Sequence, residues 1–230
     1  MLTTRVKIQS KYWLTQLGRH MSYELVHNLD AVANYLTVGR WFKQHRLDIP
    51  IRVTDRYKLF DLVAPQLQDE KVLYMEFGVW KGESMRYWSK LLRNERSILH
   101  GFDSFEGLPE HWTYSTMKGS FSVEGAMPAI DDHRVKFFKG WFEDTLPGYQ
   151  VPHHDVLFMT LDADLYSSTK TVLSRLKEHI RTGTFIYFDE FSDRFHEMKA
   201  FDEFLKEGGM TFRVVGADAQ LSSVIFQRVG

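Results

Sequence analysis

The sequence contains no cysteine. That excludes a disulfide framework, a thiolate metal site and a cysteine nucleophile. It has no excess of positive charge: 29 lysines and arginines against 30 aspartates and glutamates leave a formal net charge of -1. A chain so balanced has no surplus with which to neutralise a phosphate backbone, so nucleic acid is not expected as its main partner. No apolar run approaches the ~18 residues of a membrane span, and the N-terminus has no signal-peptide apolar region. A cytoplasmic protein with no membrane partner is the expectation. Several motifs are missing too. There is no G-x-G-x-x-G pyrophosphate turn, no G-x-x-x-x-G-K-[ST] phosphate loop, no G-x-S-x-G elbow and no H-E-x-x-H, although histidines number 10.

What is present begins at residues 71–84, Lys-Val-Leu-Tyr-Met-Glu-Phe-Gly-Val-Trp-Lys-Gly-Glu-Ser. Val72 to Met75 reads as a strand buried on both faces, closed by Glu76. Gly78 and Gly82 then give a turn in which backbone can approach a ligand, and Met85, Trp88, Leu91 and Leu92 repeat as one face of a helix. Further strands are read at 98–102, 135–138, 156–161, 185–188, 211–215 and 223–229, with helices at 54–68 and 167–181 and another that Ser192 or Asp193 would cap. The last two strands are joined by too short a segment for a helical crossover and should be antiparallel. The fold class expected is therefore α/β, a doubly wound, mostly parallel seven-stranded sheet with an antiparallel C-terminal hairpin. Residues 1–53 read as a helical N-terminal extension and 54–230 as the main domain. The stretch 111–130 has no period and reads as a long loop, with Trp112, Tyr114, Phe121 and Met127 suited to a lid over a flat substrate. The 15% aromatic content would serve such a pocket or, more commonly, an aromatic core.

Acids stand at or near four strand ends: Glu76, Asp103, Asp162 and Asp189. Open α/β sheets bind ligands beyond those ends. Asp103 follows Gly82 by 21 residues, close to the spacing of an acid that hydrogen-bonds ribose hydroxyls. A loose G-x-x-x-G turn beside Glu76 suits a cationic cofactor without phosphates. Asp162 with Asp189-Glu190 is a set of hard oxygen donors, appropriate to Mg²⁺, Ca²⁺ or Mn²⁺ and not to Zn²⁺. The plainer alternative has Asp162 and Asp164 capping the following helix and Asp189-Glu190 in a solvated loop.

Four stretches carry a family resemblance: Glu76-Phe-Gly-Val-Trp-Lys-Gly-Glu-Ser84, Gly101-Phe-Asp-Ser-Phe-Glu-Gly-Leu-Pro109, Lys139-Gly-Trp-Phe-Glu-Asp-Thr-Leu-Pro147 and Leu161-Asp-Ala-Asp-Leu-Tyr-Ser-Ser-Thr169. Over about residues 54–205 the chain resembles the macrocin O-methyltransferase family. That resemblance implies a class I, Rossmann-like methyltransferase that uses S-adenosyl-L-methionine and Mg²⁺ to methylate a sugar or phenolic hydroxyl of a natural product. It implies that Glu76 and Gly78, with Val79, Trp80 and Ser84 in the same turn, hold the methionine end. Asp103 would hold the ribose, Ser104 would lie near the adenosine, and Gly140, Trp141 and Asp144 would form the adenine edge. Asp162, Asp189 and Glu190 would hold Mg²⁺, with Asp162 also lining the cofactor site and acting as general base. Members often carry Asp-Asp at the fifth strand, and Glu190 departs from that pattern. The methyl acceptor would be a small-molecule hydroxyl, and a homo-oligomer, a dimer or higher, is the expected assembly. The competing readings are a metal-independent methyltransferase, a nicotinamide-dependent Rossmann oxidoreductase and a non-catalytic relative.

Overall fold

A computed structural model of the chain describes residues 4–113 and 115–230, with side chains from Lys7 onward. Tyr114, one of the four expected lid residues, lies outside them. The chain divides into two compact units, 1–45 and 46–230. The first contains helix α1 (Thr4–Gly18) and helix α2 (Tyr23–Gln44). Ser22 caps α2, its Oγ accepting from the Leu25 N–H at 3.2 Å.

The second unit is built on one sheet. Its strands are β1 (Arg52–Val53), β2 (Val72–Phe77), β3 (Ile98–Asp103), β4 (Val135–Lys139), β5 (Val156–Leu161), β6 (Phe185–Phe188), β7 (Phe212–Asp218) and β8 (Val224–Arg228). Its helices are α3 (Arg56–Leu67), α4 (Glu83–Leu91), α5 (Phe142–Thr145), α6 (Tyr166–Leu176) and α7 (Glu197–Gly208). The strand order is β1-β7-β8-β6-β5-β2-β3-β4. All neighbours are parallel except β6–β8 and β7–β8, so the closing hairpin is antiparallel as expected.

The sheet has eight strands, not seven, among the described residues. The extra strand, β1, pairs Arg52 with Ala217 and Val53 with Asp218. Two residues are too few to establish any alternation, which is why the sequence pattern does not reveal it. β1 belongs to the second unit, which begins at residue 46. A second difference concerns α7, which begins at Glu197. Asp193 does not cap it; its Oδ1 accepts from the Phe195 N–H at 2.8 Å, a local turn that leaves Phe195 exposed.

Aromatic side chains fill both faces of the sheet. On one face Trp88 of α4 meets Phe158 at 4.6 Å, and Phe60 of α3 meets Tyr187 at 5.0 Å between centroids. On the other, Phe226 packs on Phe191 and Phe201 at 4.9 and 4.8 Å. Half of the aromatic residues, 17 of 34, are buried, 15 of them in the second unit, where each such side chain buries a large apolar area. The consequence for the site is stiffness: β2, β5 and β6 are anchored from both sides, so the residues at their carboxyl ends are held by a packed layer.

Candidate active site

The strand order reverses between β2 and β5, which makes the crevice beyond their carboxyl ends the expected ligand position. A cavity of about 330 Å³ lies there. The turn after β2 shapes its floor. Gly78 has φ +89° and its N–H donates to the Phe102 carbonyl at 3.1 Å. A Cβ at this position would collide with the carbonyl oxygen of Asp162, so two strand ends can approach only because residue 78 is glycine. Gly82, φ +75°, then opens α4.

Asp103 fixes that turn. Its Oδ2 accepts from the Val79 and Trp80 N–H groups at 2.7 and 2.8 Å, and its Oδ1 from the Phe105 N–H at 2.6 Å. A carboxylate has about four lone-pair positions, so capacity for one further donor is left. Ordering the 78–80 turn is a role that strand-end position alone does not announce. Trp80 pays for it with φ +48°, a conformation uncommon for a non-glycine residue and found often at functional sites.

Glu76 is buried at 2% exposure and lines the cavity. Its Oε2 accepts from the Tyr74 hydroxyl at 3.1 Å, yet burial pushes its pKa up to about 8. Such a group favours a cation beside it. Burial and the neighbouring carboxylates likewise push Asp164 and Glu190 up to about 7. A carboxyl whose folded pKa lies above its unfolded value near 4 stabilises the fold fully only below that unfolded value, and loses this as pH rises through the folded one. Buried His100, whose pKa is lowered to about 4 by desolvation, works in the opposite sense, but only below about pH 6.5. Between pH 6.5 and 8 the unliganded protein is therefore expected to lose about 2 kcal/mol through Glu76 alone, roughly 4 to 8 °C in Tm. Thermal melts across that range check this; a Tm that is flat or rises contradicts it.

The Asp162 and Asp189 carboxylates meet across Arg56, the first residue of α3. Its guanidinium donates to Asp162 Oδ2 at 3.0 Å and to Asp189 Oδ2 at 2.8 Å. Asp189 Oδ1 accepts from the Tyr187 hydroxyl and, at 3.4 Å, from Ser223 Oγ. Burial and the like charge of Asp189 raise the proton affinity of Asp162, with Arg56 opposing them. Glu190 lines the cavity too; its charge helps to raise the pKa of Asp164, as the charge of Asp189 helps to raise its own. Among the described residues no three His, Cys, Asp or Glu side chains converge closely enough to hold a metal ion. The two aspartates supply hard oxygen donors of the kind Mg²⁺ takes together with water, so the donor chemistry fits, with a guanidinium between them.

Glu76, Gly78, Val79, Trp80, Ser84, Asp103, Ser104, Gly140, Trp141, Asp162, Asp189 and Glu190 all line the one cavity. Asp144 does not; it is exposed on the short helix α5, and its neighbour Glu143 reaches the cavity instead. Trp112 and Phe121 of the long loop line it, and Phe121 packs edge-on against Trp80 at 6.3 Å, whereas Met127 is exposed elsewhere. Two residues carry roles that sequence reading missed. Arg56 lay in a segment notable only for its amphipathic pattern. Glu197 is fully buried behind the site, its Oε2 accepting from the Glu190 N–H at 2.9 Å while Oε1 has no protein partner. Of two Tyr-x-x-x-Lys spacings, a pair on which nicotinamide-dependent enzymes can rely, one begins at Tyr114, outside the described residues, and the other runs from Tyr166 to Lys170. Neither Tyr166 nor Lys170 lines the cavity, and both hydrogen-bond Glu203, at 2.6 and 2.7 Å.

The model of a family described as Macrocin-O-methyltransferase (TylF) matches residues 54–228. A Streptomyces olivaceus protein named 8-demethyl-8-(2,3-dimethoxy-alpha-L-rhamnosyl)-tetracenomycin-C 4'-O-methyltransferase is 30% identical over 142 residues, 51% of this chain and 52% of that protein. The chain thus spans about half the length of the curated relative it matches. Among solved structures, CalS11, a calicheamicin methyltransferase, superposes with TM-score 0.60 at 21% identity over 99% of this chain and 94% of that one. A structure described as cmcI-D160 Mg-SAM gives TM-score 0.52 at 16% identity over 77% and 73% of the two chains. No helix among the described residues is long and apolar enough to cross a membrane.

Proposed function

Because the chain belongs to the macrocin O-methyltransferase family, we propose that it is an S-adenosyl-L-methionine-dependent O-methyltransferase acting on a hydroxyl of a natural-product-type small molecule. One observation carries the reading: a single cavity at the switch point gathers Glu76, the Gly78 turn, Asp103 and Asp162. The cofactor, when bound, supplies an electrophilic methyl group on a positively charged sulfur. Glu76 is the acid placed to meet a cation, and Asp103, through its remaining acceptor capacity, is placed to take a ribose hydroxyl. The missing pyrophosphate turn weighs against a dinucleotide.

Asp162 is the general base of this reading. It lines the cavity, has a raised proton affinity suited to taking a proton from an alcohol, and is held in place by Arg56. Trp80, Trp112 and Phe121 offer apolar walls to an acceptor. The relative that modifies a rhamnosyl 4'-oxygen supports a sugar hydroxyl as the acceptor. Asp162 and Asp189 would hold a divalent ion, Mg²⁺, which would lower the pKa of the acceptor hydroxyl. Incubating the protein with S-adenosylmethionine, Mg²⁺ and a panel of deoxysugar glycosides should give a singly methylated product by mass spectrometry. Failure across sugar and phenolic acceptors alike, with the cofactor demonstrably bound, contradicts a transferase of this class.

We also propose that the protein is a homo-oligomer, joined through α2. Leu25, Leu29, Val32 and Leu36 are all exposed and follow the 4-3-4 spacing of a coiled-coil seam. A second copy presents the same seam, and a two-fold arrangement pairs like with like. Light scattering should report at least a dimer, and the double variant Leu29→Glu, Val32→Glu should run as a smaller species. A monomeric wild type contradicts the assembly.

A further inference from the structure

We propose that Arg56 is the resident cation of the aspartate pair, and that its guanidinium and a divalent metal ion are alternative occupants of one site. The inference rests on the divalent-ion reading given above and adds a competitor drawn from the chain itself. The atoms make the case. Asp189 has Oδ1 committed to Tyr187 and Ser223, so Oδ2 is the oxygen it can offer a metal, and Oδ2 is the atom that Arg56 holds at 2.8 Å. On Asp162 the guanidinium likewise takes Oδ2, at 3.0 Å. Asp162 keeps its Oδ1 for another ligand, so the competition is decided at Asp189 Oδ2, where a metal ion and the guanidinium would repel one another at close range.

Charge explains why the chain places an arginine there. Arg56 is the sole lysine or arginine among the cavity-lining residues, which include Glu76, Asp103, Asp162, Asp164, Asp189 and Glu190. Without a cation, Asp162 and Asp189 would face one another across a partly dry cleft, and one would have to take up a proton. Arg56 supplies that cation in the unliganded protein, and its planar fork matches two carboxylates at once in a way that an ammonium cannot. The side chain is 34% exposed, so it has a solvent path along which to withdraw. Its position supports movement too: it is the first residue of α3, just after the N-cap Asp55 whose Oδ1 accepts from the Lys58 N–H at 3.1 Å, so the helix start survives rotation of the side chain. Metal entry then exchanges one cation for another and leaves the aspartates paired throughout. An arginine that swings out toward the cavity mouth would also be positioned to meet an acceptor, which ties metal loading to the shape of the pocket.

Mn²⁺ binding, read by electron paramagnetic resonance of the free ion, tests this without any turnover. Arg56→Met should bind Mn²⁺ at least tenfold more tightly than wild type. Arg56→Lys, which keeps the charge and loses the fork, should fall between them. In the absence of metal Arg56→Met should melt below wild type and gain more in Tm from saturating Mn²⁺. Circular dichroism and a cooperative melt establish that the variants are folded, and Arg56→Lys carries the test should the methionine variant fail to fold. Equal or weaker Mn²⁺ binding by both variants overturns the competition while leaving the divalent-ion reading standing. No Mn²⁺ binding to any of the proteins overturns that reading itself.

Discussion

Asp162→Asn is expected to lower turnover by at least about 10²-fold while S-adenosylhomocysteine binds within a few-fold of wild type. Asparagine keeps the size of the side chain and can still accept one hydrogen bond from Arg56, but it cannot take the acceptor's proton. The substitution also removes one of the two charges that Arg56 bridges, so Asp189 is left with the guanidinium to itself. Since Asp162 lines the cavity at the end of β5, and the backbone of residue 162 anchors that end through its N–H to the Phe77 carbonyl at 2.9 Å, the fold should persist. Initial rates beside a calorimetric titration separate the two effects. Near-normal turnover removes Asp162 from the proton transfer. Lost binding of S-adenosylhomocysteine would instead assign it to the cofactor.

Gly78→Ala should be damaging for a different reason. Its φ of +89° strains any L side chain, and the added Cβ runs into the carbonyl oxygen of Asp162, a backbone atom in a packed strand end that cannot step aside. Either β2 and β5 separate at their carboxyl ends or the turn refolds. Both routes displace the Val79 and Trp80 N–H groups from Asp103. A loss of at least about 2 kcal/mol is expected, roughly 4 to 8 °C in Tm for a chain of this size. Binding of S-adenosylhomocysteine should weaken at least tenfold. A variant that melts and binds like wild type would mean that the turn tolerates another path, and that its glycine serves no close approach.

The parts of this site that could be read from sequence are those in which local pattern and chemistry coincide. An apolar run closed by an acid is a strand end wherever the sheet places it, so Glu76, Asp103, Asp162 and Asp189 were all recognisable one at a time, and Gly78 by the turn that follows Glu76. Their arrival in one cavity follows from the strand order, which sets β5 and β3 on either side of β2. Arg56 was not legible, because its partners lie 106 and 133 residues away and nothing beside it in the chain hints at them. The same holds for β1, which exists because β7 offers it an edge. Asp144 against Glu143 is a choice between neighbours on one helical turn, decided by the direction of α5 and not by composition. Glu190 lines the same cavity as its sequence neighbour Asp189 and feels its charge, so here adjacency in the chain does carry into the site.

Every step of the proposed reaction requires that the cavity bind an S-adenosyl cofactor. Calorimetric titration of the purified protein with S-adenosylhomocysteine, with NAD⁺ as control, tests it most directly. Micromolar binding of S-adenosylhomocysteine alone is expected, with heat abolished or strongly reduced in Gly78→Ala. Heat from NAD⁺ and none from S-adenosylhomocysteine would contradict it, and would make Asp103 a dinucleotide's ribose ligand instead.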